Sequence, residues 1–172
     1  MPEEQIEEID WEGNIIAVHP KSKLKETMFP HKVALIIPKG NNNTLILSQR
    51  PKDQYPFPGT WCCGIGGKVS SGESIEEAAK RETLEESKRL PKLQKVVEVK
   101  YNEDDYKAIF TVFTTEEEFK TSDFDPDPRE IQELKEFSPE KILKMVEESP
   151  ELFAPTFSAI IVPFIKNLIK QD

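Results

Sequence analysis

Six glutamates crowd the segment "GGKVSSGESIEEAAKRETLEES" (66–87), and three of them are spaced so that they can act together. Glu82, Glu85 and Glu86 stand three and four residues apart, which on a helix places them on one arc. Crowded carboxylates repel one another unless they share a cation, and hard oxygen donors select Mg²⁺ or Mn²⁺. Arg81 can orient such carboxylates through a bidentate contact. Gly66 and Gly67 let the backbone come close, so the Gly66 carbonyl is a candidate further metal ligand. An ion such as Mg²⁺ held this way keeps part of its water shell and takes phosphate oxygens as its remaining ligands.

The helix that must carry these groups has an unusual face. Ile75, Ala78 and Ala79 are at helical spacing, and Glu82 and Glu86 follow Ile75 and Ala79 by seven residues. At ~100° per residue both glutamates fall within about 20° of Ile75. A solvated acidic face would lie opposite the apolar stripe, whereas this one runs along it. The pattern predicts a helix from Ser74 to near Leu90, where Pro91 disfavours further turns. Glu73 stands at its favourable, positive end.

Around that helix, "NIIAV" (14–18) reads as a strand followed by the basic loop "HPKSKLK". "KVALIIP" (32–38) and "TLILSQR" (44–50) flank the turn cluster "KGNNN" and read as a β-hairpin. A proline-rich loop (50–61) leads into a strand from Trp61 to Ile65. Two more strands, 95–101 and 105–115, precede a long acidic loop and a candidate strand at 130–137. "SPEKILKMVEES" has Ser138 as N-cap and Pro139 at the first helical position. A last helix contains Pro163, expected to bend or start it. Strands interleaved with about three helices imply an α/β fold with a mixed sheet and helices on its faces.

Composition narrows the classes. The 172 residues suit a single domain, 1–172. A net charge of −9 argues against non-specific grip on nucleic acid or anionic membrane. No apolar run approaches the ~18 residues of a spanning helix, and the acidic N-terminus lacks the features of a signal peptide, so a cytoplasmic location is expected. Cys62 and Cys63, the only cysteines, are adjacent and read as small strand residues suited to a reducing compartment.

Gly67, Glu73 and Arg81-Glu82-Thr83-Leu84-Glu85-Glu86 together resemble the Nudix box of the Nudix hydrolase superfamily, here at 67–89. The resemblance implies an α/β/α sandwich whose loop–helix–loop binds divalent metal. Members mostly hydrolyse a nucleoside diphosphate linked to another moiety. Thr83, Lys88 and Arg89 depart from the pattern, and loss of the glycine at Lys88 would let the helix run on toward Leu90. Longer stretches, including "IDWEGNIIAVHPKSKLKETMFPHKVALII" and "PGTW", resemble the branch containing isopentenyl-diphosphate isomerases. In that alignment the isomerase cysteine falls on Gly66, a metal histidine falls on Lys68, and the partner of His31 falls on Leu24. Hydrolysis is therefore expected, with isomerisation or a non-catalytic ligand-binding module as alternatives.

The resemblance makes Lys68 a candidate for a substrate phosphate. It also points to Glu130 or Glu133 as a later carboxylate that completes the metal shell or acts as base, a role Glu82 could fill instead. The expected partner is a small diphosphate, with the oligomeric state open. His19 and His31 read as structural or exposed. Of Tyr55, Phe57 and Trp61, at least two are expected to pack the proline-rich loop.

Overall fold

The computed structural model describes residues 1–87 and 89–171. Its strands are β1 (Gln5–Ile9), β2 (Ile15–Pro20), β3 (His31–Ile36), β4 (Leu45–Gln49), β5 (Trp61–Cys63), β6 (Ile65–Lys68), β7 (Leu93–Glu103), β8 (Tyr106–Thr115) and β9 (Glu133–Phe137). The helices are α1 (Lys23–Glu26), α2 (Ile75–Ser87), α3 (Pro139–Glu148) and α4 (Pro155–Gln171).

The strands form a mixed four-stranded sheet in the order β6-β3-β8-β7, an antiparallel three-stranded sheet β5-β4-β9, and the hairpin β1-β2. β3 runs parallel to β8 and antiparallel to β6. Its alternation explains the layering, because period-two side chains feed opposite faces. Val33 joins Phe110, Val112 and the α4 residues Phe157, Ile161 and Phe164. Ala34 and Ile36 join Ala78, Ala79 and Phe113 under α2. Helices therefore cover both faces of a mixed sheet, as expected.

Of the predicted β3–β4 hairpin only the tip forms, with Gly40 N donating to the Thr44 carbonyl (2.8 Å) and Lys39 bridged to Leu45. Pro38 ends the first run, and although its carbonyl accepts from Ile46 N (2.9 Å), β4 departs into the second sheet. The predicted strand through Ile65 is likewise two strands in two sheets. The break is at Gly64, where a Cβ would meet the Ile46 carbonyl at 2.8 Å, so only glycine lets the chain turn that corner. β1 and α1 lay in segments without a predicted element. α3 starts as expected, with the Ser138 hydroxyl accepting from Lys141 N. α4 begins at Pro155 and carries Pro163 within it.

Candidate active site

The buried stripe of α2 answers the question its sequence raises. Ala79, Thr83 and Ser87 are buried at successive turns. The Thr83 hydroxyl donates to the Ala79 carbonyl (2.8 Å) and that of Ser87 to the Thr83 carbonyl (2.7 Å). Thr83, where the box pattern expects an aliphatic residue, thus fills a core position with its polar atom satisfied by its own helix. Glu82 and Glu86 flank this stripe and are half-buried, while Glu85 is exposed. α2 runs to Ser87, Arg89 and Leu90 are not helical, and Ser87 Oγ accepts from the Arg89 amide (3.3 Å). The expectation attached to Lys88 lies outside the described residues.

At the other end of α2, Ser74 and Glu77 form a reciprocal cap: Glu77 N donates to Ser74 Oγ (3.1 Å) and Ser74 N to Glu77 Oε2 (2.7 Å). Glu73 is thereby free for another task. It grips Arg81 in bidentate fashion, at 2.8 Å to Nε and 3.0 Å to Nη2, and accepts from Ser70 N. The Arg81 guanidinium then reaches Glu82 Oε1 at 2.7 Å, Glu85 Oε1 at 3.7 Å and the Lys68 carbonyl at 3.2 Å. Arg81 is a fixed fork joining β6 to the box helix.

β6 supplies the facing wall. It is an edge strand, and in an antiparallel ladder alternate residues turn both backbone groups outward. Val69 N bonds inward to Lys32, whereas the Lys68 carbonyl faces out to Arg81. By the same alternation the Gly66 carbonyl lies on the open edge beside α2, the placement a backbone ligand would need. Gly67 lies against Glu82, whose carboxylate occupies the volume a Cβ would take.

The acidic loop after β8 completes the cluster. Asp125 N donates to the Glu86 carbonyl at 2.7 Å. Arg89 lies 4.1 Å from the Phe119 ring centroid and 3.5 Å from Asp123. These contacts bring Asp127 and Glu130 close to Glu86. Burial, then repulsion from Glu130, Glu82, Glu85 and Asp127, pushes the Glu86 carboxyl up to about 7. Glu82 is also raised, first by burial. Glu86 Oε2 is buried with no hydrogen-bond partner. Among the described residues no three Asp, Glu, His or Cys side chains yet converge as a formed metal cluster. Arg81 holds Glu82, and Glu85 points to solvent. The donor set, hard oxygens short of positive charge, fits a divalent cation.

Near the carboxylates lie two cations: Lys68, a candidate from the sequence, and Arg50, which sequence reasoning missed. Lys68 is half-buried, and its pKa is lowered by burial and then by Lys21 and Arg50. Arg50 Nε is buried without a hydrogen-bond partner. Among the described residues neither Lys68 nor Arg50 has a carboxylate within 4.0 Å, whereas Lys21 pairs with Glu4 at 2.8 Å. Arg50 begins the proline-rich loop, and nothing local marks it. Only the pairing of β4 with β5 brings it alongside β6.

His31 is fully buried, bonded to the Phe29 carbonyl (2.9 Å) and the Tyr106 hydroxyl (3.2 Å). His19 pairs with Glu8. Trp61 packs edge-on against Phe137, Phe57 lies against the core, and Tyr55 is exposed. Glu133 opens β9, exposed.

A NUDIX domain model matches residues 29–157. An uncharacterised Nudix hydrolase of Yersinia pestis is 26% identical over 83 residues, 48% of this chain and 46% of that protein, so the match spans about half of the relative. DR0079 from Deinococcus radiodurans superimposes with a TM-score of 0.80 at 16% identity, covering 94% of this chain and 99% of the other. The MutT protein from Methanosarcina mazei Go1 gives a TM-score of 0.67 at 21% identity, over 85% and 98%. At such identities the structural likeness shows the fold. The family match runs from just before β3 into α4 and takes in the whole of α2, so the chain belongs to the Nudix domain family.

Proposed function

We propose that this protein hydrolyses a diphosphate bond in a small nucleoside diphosphate-linked or related substrate, with Mg²⁺ or Mn²⁺ bound by Glu82, Glu85, Glu86 and the Gly66 carbonyl. The observation that carries this reading is Glu86: a buried, unpartnered carboxylate oxygen among four other acidic side chains. Such a group is costly unless a cation completes it. The bound metal supplies charge neutralisation for the phosphate oxygens and a more acidic water.

The chain's own residues do the rest. Glu82 or Glu130 takes the proton from the attacking water. Arg81 is a positioning residue that fixes the Glu82 carboxylate through its grip on Glu73. Lys68 and Arg50, half-buried cations with no carboxylate within 4.0 Å among the described residues, receive phosphate oxygens of the substrate and the leaving group. This division of roles, with little covalent work for the protein, suits phosphoryl transfer. A chain of net charge −9 admits such a polyanion through these cations and the metal rather than through a general field. The two free thiols suit a reducing, cytoplasmic setting.

Hydrolysis is favoured over isomerisation of isopentenyl diphosphate by Gly66, which offers no thiol at the site. The Cys63 thiol is buried in the core with its pKa raised well above the ordinary value. A panel of nucleotide sugars, dinucleotides, nucleoside triphosphates and prenyl diphosphates, assayed with and without chelator, tests the proposal. Metal-dependent release of phosphate-bearing products supports it; full turnover without divalent ions overturns it.

A further inference from the structure

We propose that this protein forms a twofold homodimer in which β2 pairs antiparallel with β2 of a second copy. Among the described residues β2 has β1 as its only strand partner, so its other edge is open. Strand edges are usually guarded by charged side chains, yet β2 reads "IIAVHP" and carries no carboxylate, lysine or arginine. Ile15, Ile16 and Val18 are 59%, 61% and 49% exposed, a concentration of aliphatic surface within four residues. Ile16 and Val18 share one face by the period of the strand, and the opposite face carries His19 against Phe29.

Charge selects the occupant. Asp10 and Glu12 lie at the turn that precedes β2, and Lys21, Lys23 and Lys25 follow it. The strand is therefore acidic at its start and basic at its end. Antiparallel pairing of two copies about Ala17 sets Ile16 opposite Val18 in both directions. It also sets the basic segment 21–25 of each copy beside the acidic turn 10–12 of the other. A parallel arrangement would set acid against acid. An isologous twofold contact satisfies both gradients at once, and the result is a continuous sheet β1-β2-β2-β1 across the axis. Pro20 ends the pairing after about five residues, which keeps the contact closed rather than extensible.

Sedimentation velocity over a concentration series tests this. The wild-type chain is expected to shift reversibly from monomer to dimer. Ile16→Lys/Val18→Lys, which alters only exposed side chains, is expected to stay monomeric with an unchanged circular dichroism spectrum. Ile169→Lys, an exposed aliphatic on α4, is expected to dimerise like wild type. Glu12→Lys and Lys23→Glu should each weaken the dimer several-fold, and the double reversal should restore it. A wild-type chain that is monomeric throughout overturns the proposal. So does a dimer that survives Ile16→Lys/Val18→Lys, or a double reversal that recovers nothing.

Discussion

Gly67 and Glu82 lie so close that the Glu82 carboxylate fills the space of a Cβ on Gly67. The glycine is required by this close approach, since its φ is not in the left-handed region. Gly67→Ala therefore leaves the backbone unstrained and acts on Glu82, whose flexible end must swing away. The expected outcome is a melting temperature near that of wild type and a fall in kcat of at least about tenfold, from displacement of the proposed ligand or base. A Gly67→Ala enzyme with wild-type kcat would show that the position of Glu82 is not critical.

Arg50 should affect binding more than chemistry. Its guanidinium has no carboxylate partner among the described residues and is close enough to Lys68 to lower that group's pKa. Arg50→Ala should raise KM by about tenfold or more while kcat changes less, with Arg50→Lys recovering part of the loss. In metal-free protein the same change should remove the melting shift produced by inorganic pyrophosphate. An unaltered KM and an unaltered pyrophosphate shift would remove Arg50 from the site.

What the sequence revealed, and what it did not, follows the range of the interactions. The box helix, its Ser74 start and its acidic flank were legible because they depend on neighbours three or four residues away. Thr83 looked like a departure from pattern, and only its bond to the Ala79 carbonyl shows why it is tolerated in the core. The break at Gly64 was invisible because the obstruction comes from the Ile46 carbonyl, in another strand. β1 was missed because "QIEEI" buries only Ile6 and Ile9, and its glutamates bond elsewhere: Glu7 to Gly72 N and Glu8 to His19. Arg50 and Asp127 were missed for the same reason: their proximity to Lys68 and Glu86 is a property of the assembled sheets and the tethered loop.

His31 gives a pH signature separate from the acidic site. Burial, assisted by Lys68 and opposed by a bond to the Phe29 carbonyl, lowers its pKa from 6.5 to about 4. The unfolded chain thus binds a proton between those values that the folded chain refuses. The contribution of neutral His31 is complete above about pH 6.5 and is lost as pH falls toward 4, by about 3 kcal/mol. Urea unfolding at pH 7 and pH 4 should show wild type losing that much more than His31→Gln. Parallel losses in the two proteins would place the titration elsewhere.

Neither cysteine should matter to turnover. The Cys62 thiol lies 3.4 Å from Ser48 Oγ, and burial raises its pKa. Purified protein should leave isopentenyl diphosphate unisomerised, and Cys62→Ser should hydrolyse its substrate within a few-fold of wild type. Allylic product that disappears on replacing Cys62 would reverse the assignment.

In the proposed mechanism the carboxylates flanking the buried stripe of α2 hold the metal that makes hydrolysis possible. Turnover and Mg²⁺-induced melting shift, measured together for Glu82→Gln, Glu86→Gln and Glu76→Gln, test it most directly. Glu76 is an exposed acid on the first turn of the same helix, where a surface change alters stability by no more than about 0.5 kcal/mol. Glu82→Gln and Glu86→Gln should lose turnover by orders of magnitude and most of the Mg²⁺ shift. Metal-free Glu86→Gln should be at least as stable as wild type, because one buried repulsive charge is gone. Glu76→Gln should match wild type throughout. If all three variants behave alike, α2 is an acidic surface helix and the catalytic account is wrong.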